Sequence, residues 1–167
     1  MPTTTTIQLT PLAEKRLRQF RSPWQMRLYY LNKLPSAFFW GFRVQSITPE
    51  QTVVRLPYRW STKNPFRSIY FAAQAGAAEF STGILAILAL SGRPAISMLV
   101  VDLKVTYSKK ADSVATFTCE DGLKVFEAVD RALSSGEGQT VVMKSTGRRK
   151  DGLIVSETEI TWSFKKK

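Results

Sequence analysis

An α+β fold, with a curved antiparallel sheet of about six strands wrapped around one long central helix, is predicted by three features of the sequence. The stretch Asn64–Gly92 contains a proline-free, mostly apolar run from Ser68 to Leu90, too apolar all round for a surface helix. Segments before and after it alternate apolar and polar residues with the two-residue period of half-buried strands. The first two such segments meet at Pro49-Glu50, a connection short enough to demand an antiparallel hairpin. A sheet curved around the helix covers it on most sides.

In chain order, residues 1–10 are Thr-rich and are expected to be a frayed tail. From Pro11 to Lys33, Leu17, Phe20, Trp24, Leu28 and Leu31 recur at three- and four-residue steps, with Pro23 predicting a break near Ser22. The result is two short amphipathic helices whose other face carries Lys15, Arg16, Arg18, Arg21 and Arg27. Residues 1–37 are thus read as a tail and N-terminal helices, and 38–167 as one domain. That domain opens with strands Phe38–Thr48 and Gln51–Trp60, the second alternating Thr52, Val54, Leu56 and Tyr58 against Val53, Arg55, Pro57 and Arg59.

The central helix follows, with Ser68 as the expected N-cap and Gly92-Arg93-Pro94 as its stop. Ile96–Tyr107 is expected as a half-buried strand with Leu99, Val101, Leu103, Val105 and Tyr107 on one face. Ser113–Glu120 is the next strand. Leu123, Phe126, Val129 and Leu133 mark a short helix, supported by Glu127 and Arg131 at i,i+4 and ended by Ser134-Ser135-Gly136. Gln139–Thr146 and Leu153–Phe164 form a final hairpin around Gly147–Gly152.

Composition narrows the chemistry. Among 167 residues there are 24 Lys plus Arg against 13 Asp plus Glu, a formal net charge of +11 that favours polyanionic partners. These include nucleic acid, an anionic membrane surface and phosphorylated small molecules such as coenzyme A. The basic residues are spread from residue 15 to residue 167 with no nucleic-acid motif, so no specific nucleic-acid partner is expected. Cys119 is the only cysteine and there is no histidine. An intrachain disulfide, a cysteine metal cage and Ser-His or Cys-His nucleophile pairs are therefore excluded, and neither a metal nor a resident cofactor is expected. MPTTTTIQLTP lacks the basic and apolar regions of a secretory signal, and the longest unbroken apolar run, Ile84–Leu90, is too short for a membrane span. A cytoplasmic location is the expectation.

The candidate chemistry sits on the central helix. Phe80, Ile84, Ile87 and Leu88 form a bulky stripe, and Ala72, Ala75, Gly76, Glu79, Gly83 and Ala86 a stripe of small residues open to close approach by a backbone or ligand. Glu79 is the only formal charge between Arg67 and Arg93. With no Lys or Arg three or four residues away, its carboxylate must reach solvent, find a distant partner or titrate at raised pH. A thin solvent-facing strip is the alternative reading.

These residues resemble the hotdog-fold thioesterase superfamily, in particular its phenylacetyl-CoA type branch and the domain of unknown function 4442 group. That branch places a loop Asn six residues before a His-Gly-Gly turn, and an acidic residue nine after the His. Asn64, Tyr70 and Glu79 stand at those offsets, and Val101-Asp102-Leu103-Lys104-Val105-Thr106-Tyr107 is similar to the family's strand after the helix. The resemblance implies a hotdog fold, with the N-terminal helices and the helix at 123–134 as departures from its minimal form, and hydrolysis of an acyl-CoA thioester. Glu79 would act as general base or nucleophile, the backbone N–H groups near Phe71 and Ala72 would polarise the carbonyl, and Asn64 would hold the loop or orient the water.

The resemblance also makes Lys109, Lys110, Arg148, Arg149 and Lys150 candidates for the coenzyme A phosphates, and implies a homodimer, with a tetramer left open. Two departures stand out. Tyr70-Phe71-Ala72 replaces His-Gly-Gly, and Val100 replaces the Ser or Thr that often supports catalysis two residues before the strand Asp. They keep open a second reading, a non-catalytic module that binds acyl-CoA or an acyl chain as sensor or carrier. A pocket lined by Phe71, Phe80 and Leu99 would suit an apolar or aromatic acyl group.

Overall fold

The computed structural model describes residues 7–167. One six-stranded antiparallel sheet is built from β1 (Arg43–Ile47), β2 (Thr52–Leu56), β3 (Ile96–Tyr107), β4 (Ala115–Cys119), β5 (Gln139–Arg149) and β6 (Ile154–Lys166). The strands lie in the order β1-β2-β4-β5-β6-β3, so β1 and β3 are its two edges. The central helix, α4 (Phe71–Leu90), is sequestered by this sheet and by α5 (Gly122–Ser135). Ile84, Leu85, Ala86, Leu88 and Ala89 are almost wholly removed from solvent. By length and composition α4 could cross a bilayer, but most of it is occupied with the protein's own core.

Proline starts each N-terminal helix: α1 (Pro11–Arg21), α2 (Pro23–Lys33) and α3 (Pro35–Trp40). The break expected at Ser22 is present. Thr10 caps α1, accepting the Ala13 N–H and donating its own hydroxyl proton to the Ser91 carbonyl at the end of α4. Ile7 and Leu9 pack against the core, so the expected fraying fails for residues 7–10; residues 1–6 of that tail lie outside the described residues. Arg21 leaves the basic face of α1 to donate from Nε and Nη2 to the Ile47 carbonyl, tying α1 to β1.

The expected strand Phe38–Thr48 is a helix up to Trp40 and a strand only from Arg43. Packing decides this: Gly41 adopts a left-handed φ of 72°, turning the chain so that Trp40 and Phe42 both reach α4 at Gly76. A Cβ on Gly76 would come within 2.9 Å of Trp40 Cζ3. The strand after Pro49-Glu50 stops at Leu56, and Trp60–Thr62 is a single 3-10 turn.

β3 differs in phase. A bulge between Val100 and Asp102 shifts its register against β6, with Val100 opposite Trp162 but Leu103 opposite Ile160. Trp162 and Ile160 both point to the core, so Met98 and Val100 share the helix-facing side with Leu103, Val105 and Tyr107. Leu99, expected with the latter group, faces the other way and is 65% exposed. Later boundaries move by one or two residues at most, apart from β5, which runs on through Gly147 to Arg149.

Candidate active site

The loop leading into α4 is organised by Asn64. Its Oδ1 accepts the N–H groups of Phe66 and Ser68 at 3.0 and 3.1 Å, closing a tight turn that also holds Arg67 at a φ of 58°. Asn64 therefore holds the loop. Ser68 is not the N-cap: it is buried, and its Oγ accepts the Ala111 N–H at 3.1 Å, anchoring the loop to the β3–β4 connection. Tyr70 takes the cap position without a side-chain capping bond, and its ring meets Phe71 edge to face.

Among the described residues, the Phe71 and Ala72 N–H groups have no backbone acceptor; the first bonds of the helix run from Ala73 and Gln74 to the Tyr70 carbonyl. Free donors at the positive end of a 20-residue helix suit an incoming oxyanion. Phe71 is half exposed, and Tyr107 donates its hydroxyl proton to the Phe71 carbonyl at 2.9 Å. Lys110 Nζ reaches the Phe66 carbonyl at 3.4 Å, so the loop 109–112 lies against the same end of the helix.

The basic candidates are unequal. Arg149 is held by Asp112 and Asp151, and Arg148 donates to the Gly152 carbonyl. Lys109 and Lys150 are exposed and form no ion pair among the described residues.

Glu79 lies further along α4. Eight residues at about 1.5 Å rise put it roughly 12 Å from Phe71 along the axis. It is partly buried, and no hydrogen bond or ion pair to its carboxylate is formed among the described residues. Burial raises its pKa above the ordinary carboxylate range. The carboxylate sits beside Gly83 and the Trp162 indole, whose Nε1 donates to Thr82 Oγ1 at 2.9 Å. Burial also raises the Tyr29 phenol, Arg16 pulls it back, and the Glu79 charge pushes it up again. Tyr29 thus lies within electrostatic reach of Arg16 and of Glu79.

Sequence reasoning missed Tyr29, Thr82 and Trp162 around Glu79. Only the small-residue stripe hinted at them, because Gly83 and Gly76 are the notches into which Trp162 and Trp40 fit. The expected pocket of Phe71, Phe80 and Leu99 does not form. Phe71 lies at the helix start, Phe80 packs in the core on Tyr30 and Phe42, and Leu99 is on the outer face of the sheet.

A long helix held in a curved six-stranded antiparallel sheet defines a hotdog fold. The sequence belongs to the family described as Domain of unknown function (DUF4442), whose profile matches residues 24–164. No curated protein sequence matches it. The fold is similar to a protein of unknown function from Pseudomonas aeruginosa described as a probable thioesterase. Identity there is 15% and the TM-score 0.71, over 86% of this chain and 96% of that one. It is also similar to a variant of another thioesterase from Pseudomonas aeruginosa, at 14% identity and TM-score 0.64 over 89% and 93% of the two chains. A thioesterase from Haemophilus influenzae aligns at 10% identity and TM-score 0.59 over 86% and 90%.

Proposed function

We propose that the protein hydrolyses an acyl-CoA or related thioester, with Glu79 as general base. The observation that carries this reading is a partly buried carboxylate on the central helix with no hydrogen-bond or ion-pair partner among the described residues, its pKa raised by burial. Glu79 takes a proton from water, the water oxygen adds to the thioester carbon, and as the carbon–sulfur bond breaks Glu79 returns that proton to the leaving sulfur, releasing the thiol and the acid. The developing oxyanion is met by the Phe71 and Ala72 N–H groups.

One chain cannot bring both parts to one thioester, because the donors and the carboxylate are separated by about 12 Å of helix. The reading therefore includes a homodimer in which the helix start of one copy faces Glu79 of the other. The long β3 edge, with Leu99, Val101 and Leu103 exposed, is the seam it uses. Lys109, Lys110 and Lys150, which form no ion pair among the described residues, would meet the coenzyme A phosphates. Glu79→Gln, shown folded by circular dichroism, should abolish thiol release across a panel of short, long and aromatic acyl-CoA thioesters. Undiminished release would remove Glu79 from the mechanism.

A second reading, a binding module without turnover, is favoured by Phe71 and Ala72, whose side chains stand where two glycines would let a thioester approach the backbone. Saturable acyl-CoA binding with no product from any member of the panel would establish it.

A further inference from the structure

A cavity of about 590 Å³ lies between the N-terminal helices and the β1–β2 hairpin, and Glu79 is not among its lining residues. Its volume is in the range of small-molecule sites, roughly 300–1,000 Å³. Phe20, Trp24, Phe38 and Phe42 give it an aromatic wall. Into the same space come four arginines, Arg27, Arg43, Arg55 and Arg59, and no acidic residue lines it. None of the four forms an ion pair among the described residues.

Two of these charges are placed against each other. Arg43 on β1 and Arg55 on β2 are direct cross-strand partners, a like-charged pairing that destabilises a sheet unless an anion lies between or beside the two. Arg27 is spread over the Phe38 ring at 5.0 Å, and Arg59 is held by the Phe39 carbonyl and Ser61 Oγ. Both guanidinium groups are thus positioned by neutral contacts. Tyr30 adds an independent sign. It lines the cavity, is 3% exposed, and its hydroxyl has no hydrogen-bond partner among the described residues. A buried hydroxyl left without a partner is costly, and a ligand acceptor brought within bonding distance would relieve that cost.

We propose that this cavity binds an amphipathic small molecule with an apolar tail and a terminal oxyanion, carboxylate or phosphate monoester. The tail packs on the aromatic wall, and the head lies on Arg43 and Arg55, whose planar forks suit both oxyanions. Glu79 does not line this cavity, and the proposal stands whether or not the protein hydrolyses thioesters.

Calorimetric titration of the full chain with decanoate, decyl phosphate and decanol tests it. At least one of the two anions should bind saturably, one per chain, and raise the melting temperature; whichever binds tighter identifies the head group. Decanol should bind at least about tenfold more weakly, since it lacks the charge. Arg43→Gln/Arg55→Gln should weaken the anion by a similar factor and Tyr30→Phe several-fold, while Glu79→Gln leaves its affinity unchanged. In the ligand-free protein, the double arginine variant should melt no lower than the parent. Absence of saturable anion binding, equal affinity for decanol, or an unchanged affinity in the double variant would each overturn the proposal. So would binding only to anionic vesicles, with the exposed Trp24 inserted.

Discussion

The Glu79 carboxylate and the Trp162 indole converge on one missing side chain. A Cβ on Gly83 would lie 3.3 Å from Glu79 Oε1 and 3.3 Å from Trp162 Cζ2. Trp162 is pinned by its bond to Thr82, so the carboxylate, at the end of a flexible chain, is the group that gives way. Gly83→Ala is therefore expected to change stability by less than about 1 kcal/mol, because helix propensity repays the tight contact. Gly76→Ala faces the Trp40 ring instead and should lose about 1–3 kcal/mol by overpacking. Urea unfolding of the two variants side by side checks the contrast.

A second expectation concerns pH. Burial raises the folded-state pKa of Glu79, so the folded protein holds this proton more tightly than the unfolded chain does. The associated stability is fully present below the ordinary carboxylate range and is lost as pH rises through the raised value. Glu79→Gln cannot ionise and should be missing that part of the slope. Thermal melts of both proteins from the acid side to neutrality measure it. Under the proposed mechanism, thioester turnover rises over the same interval, as the base loses its proton.

Thr82 and Trp162 join the central helix to β6 in a buried bond. Thr82→Val preserves shape but leaves the indole N–H without its acceptor, at a cost of about 1–3 kcal/mol. Thr82→Ser should recover most of it. The shift in denaturation midpoint, with an unchanged slope, is the readout.

Much of the molecule was legible from the sequence because its signals were redundant. The central helix carried an apolar run, Gly92 in a left-handed turn and a proline stop, and all three agreed. Its start was misplaced from Phe71 to Ser68, because the polar atoms of Asn64 and Ser68 are spent on the loop and on Ala111, a use no local pattern distinguishes from capping. Phe38–Trp40 carries strand-favouring aromatics after Pro35, yet the notch at Gly76 rewards a helix there. At the candidate site, the spacing of Asn64 and Glu79 was visible, whereas the neighbours of Glu79 come from positions 29 and 162 and are assembled only by folding.

A fourth expectation follows from the exposed edge. If β3 is the seam of a homodimer, Leu99→Asp/Val101→Asp should shift sedimentation from dimer to monomer while leaving the circular dichroism unchanged. Turnover should fall with the dimer, since neither copy would hold a complete site. A monomeric parent protein would refute the paired arrangement.

The irregular step at Val101 reaches beyond the packing of one strand. A flat, regular border of this length would invite chain after chain to add on, the route to fibrous deposits. The extra residue kinks the backbone and breaks the ladder of donors and acceptors partway along. The border is thereby divided into two shorter regular stretches, which discourages an endless row.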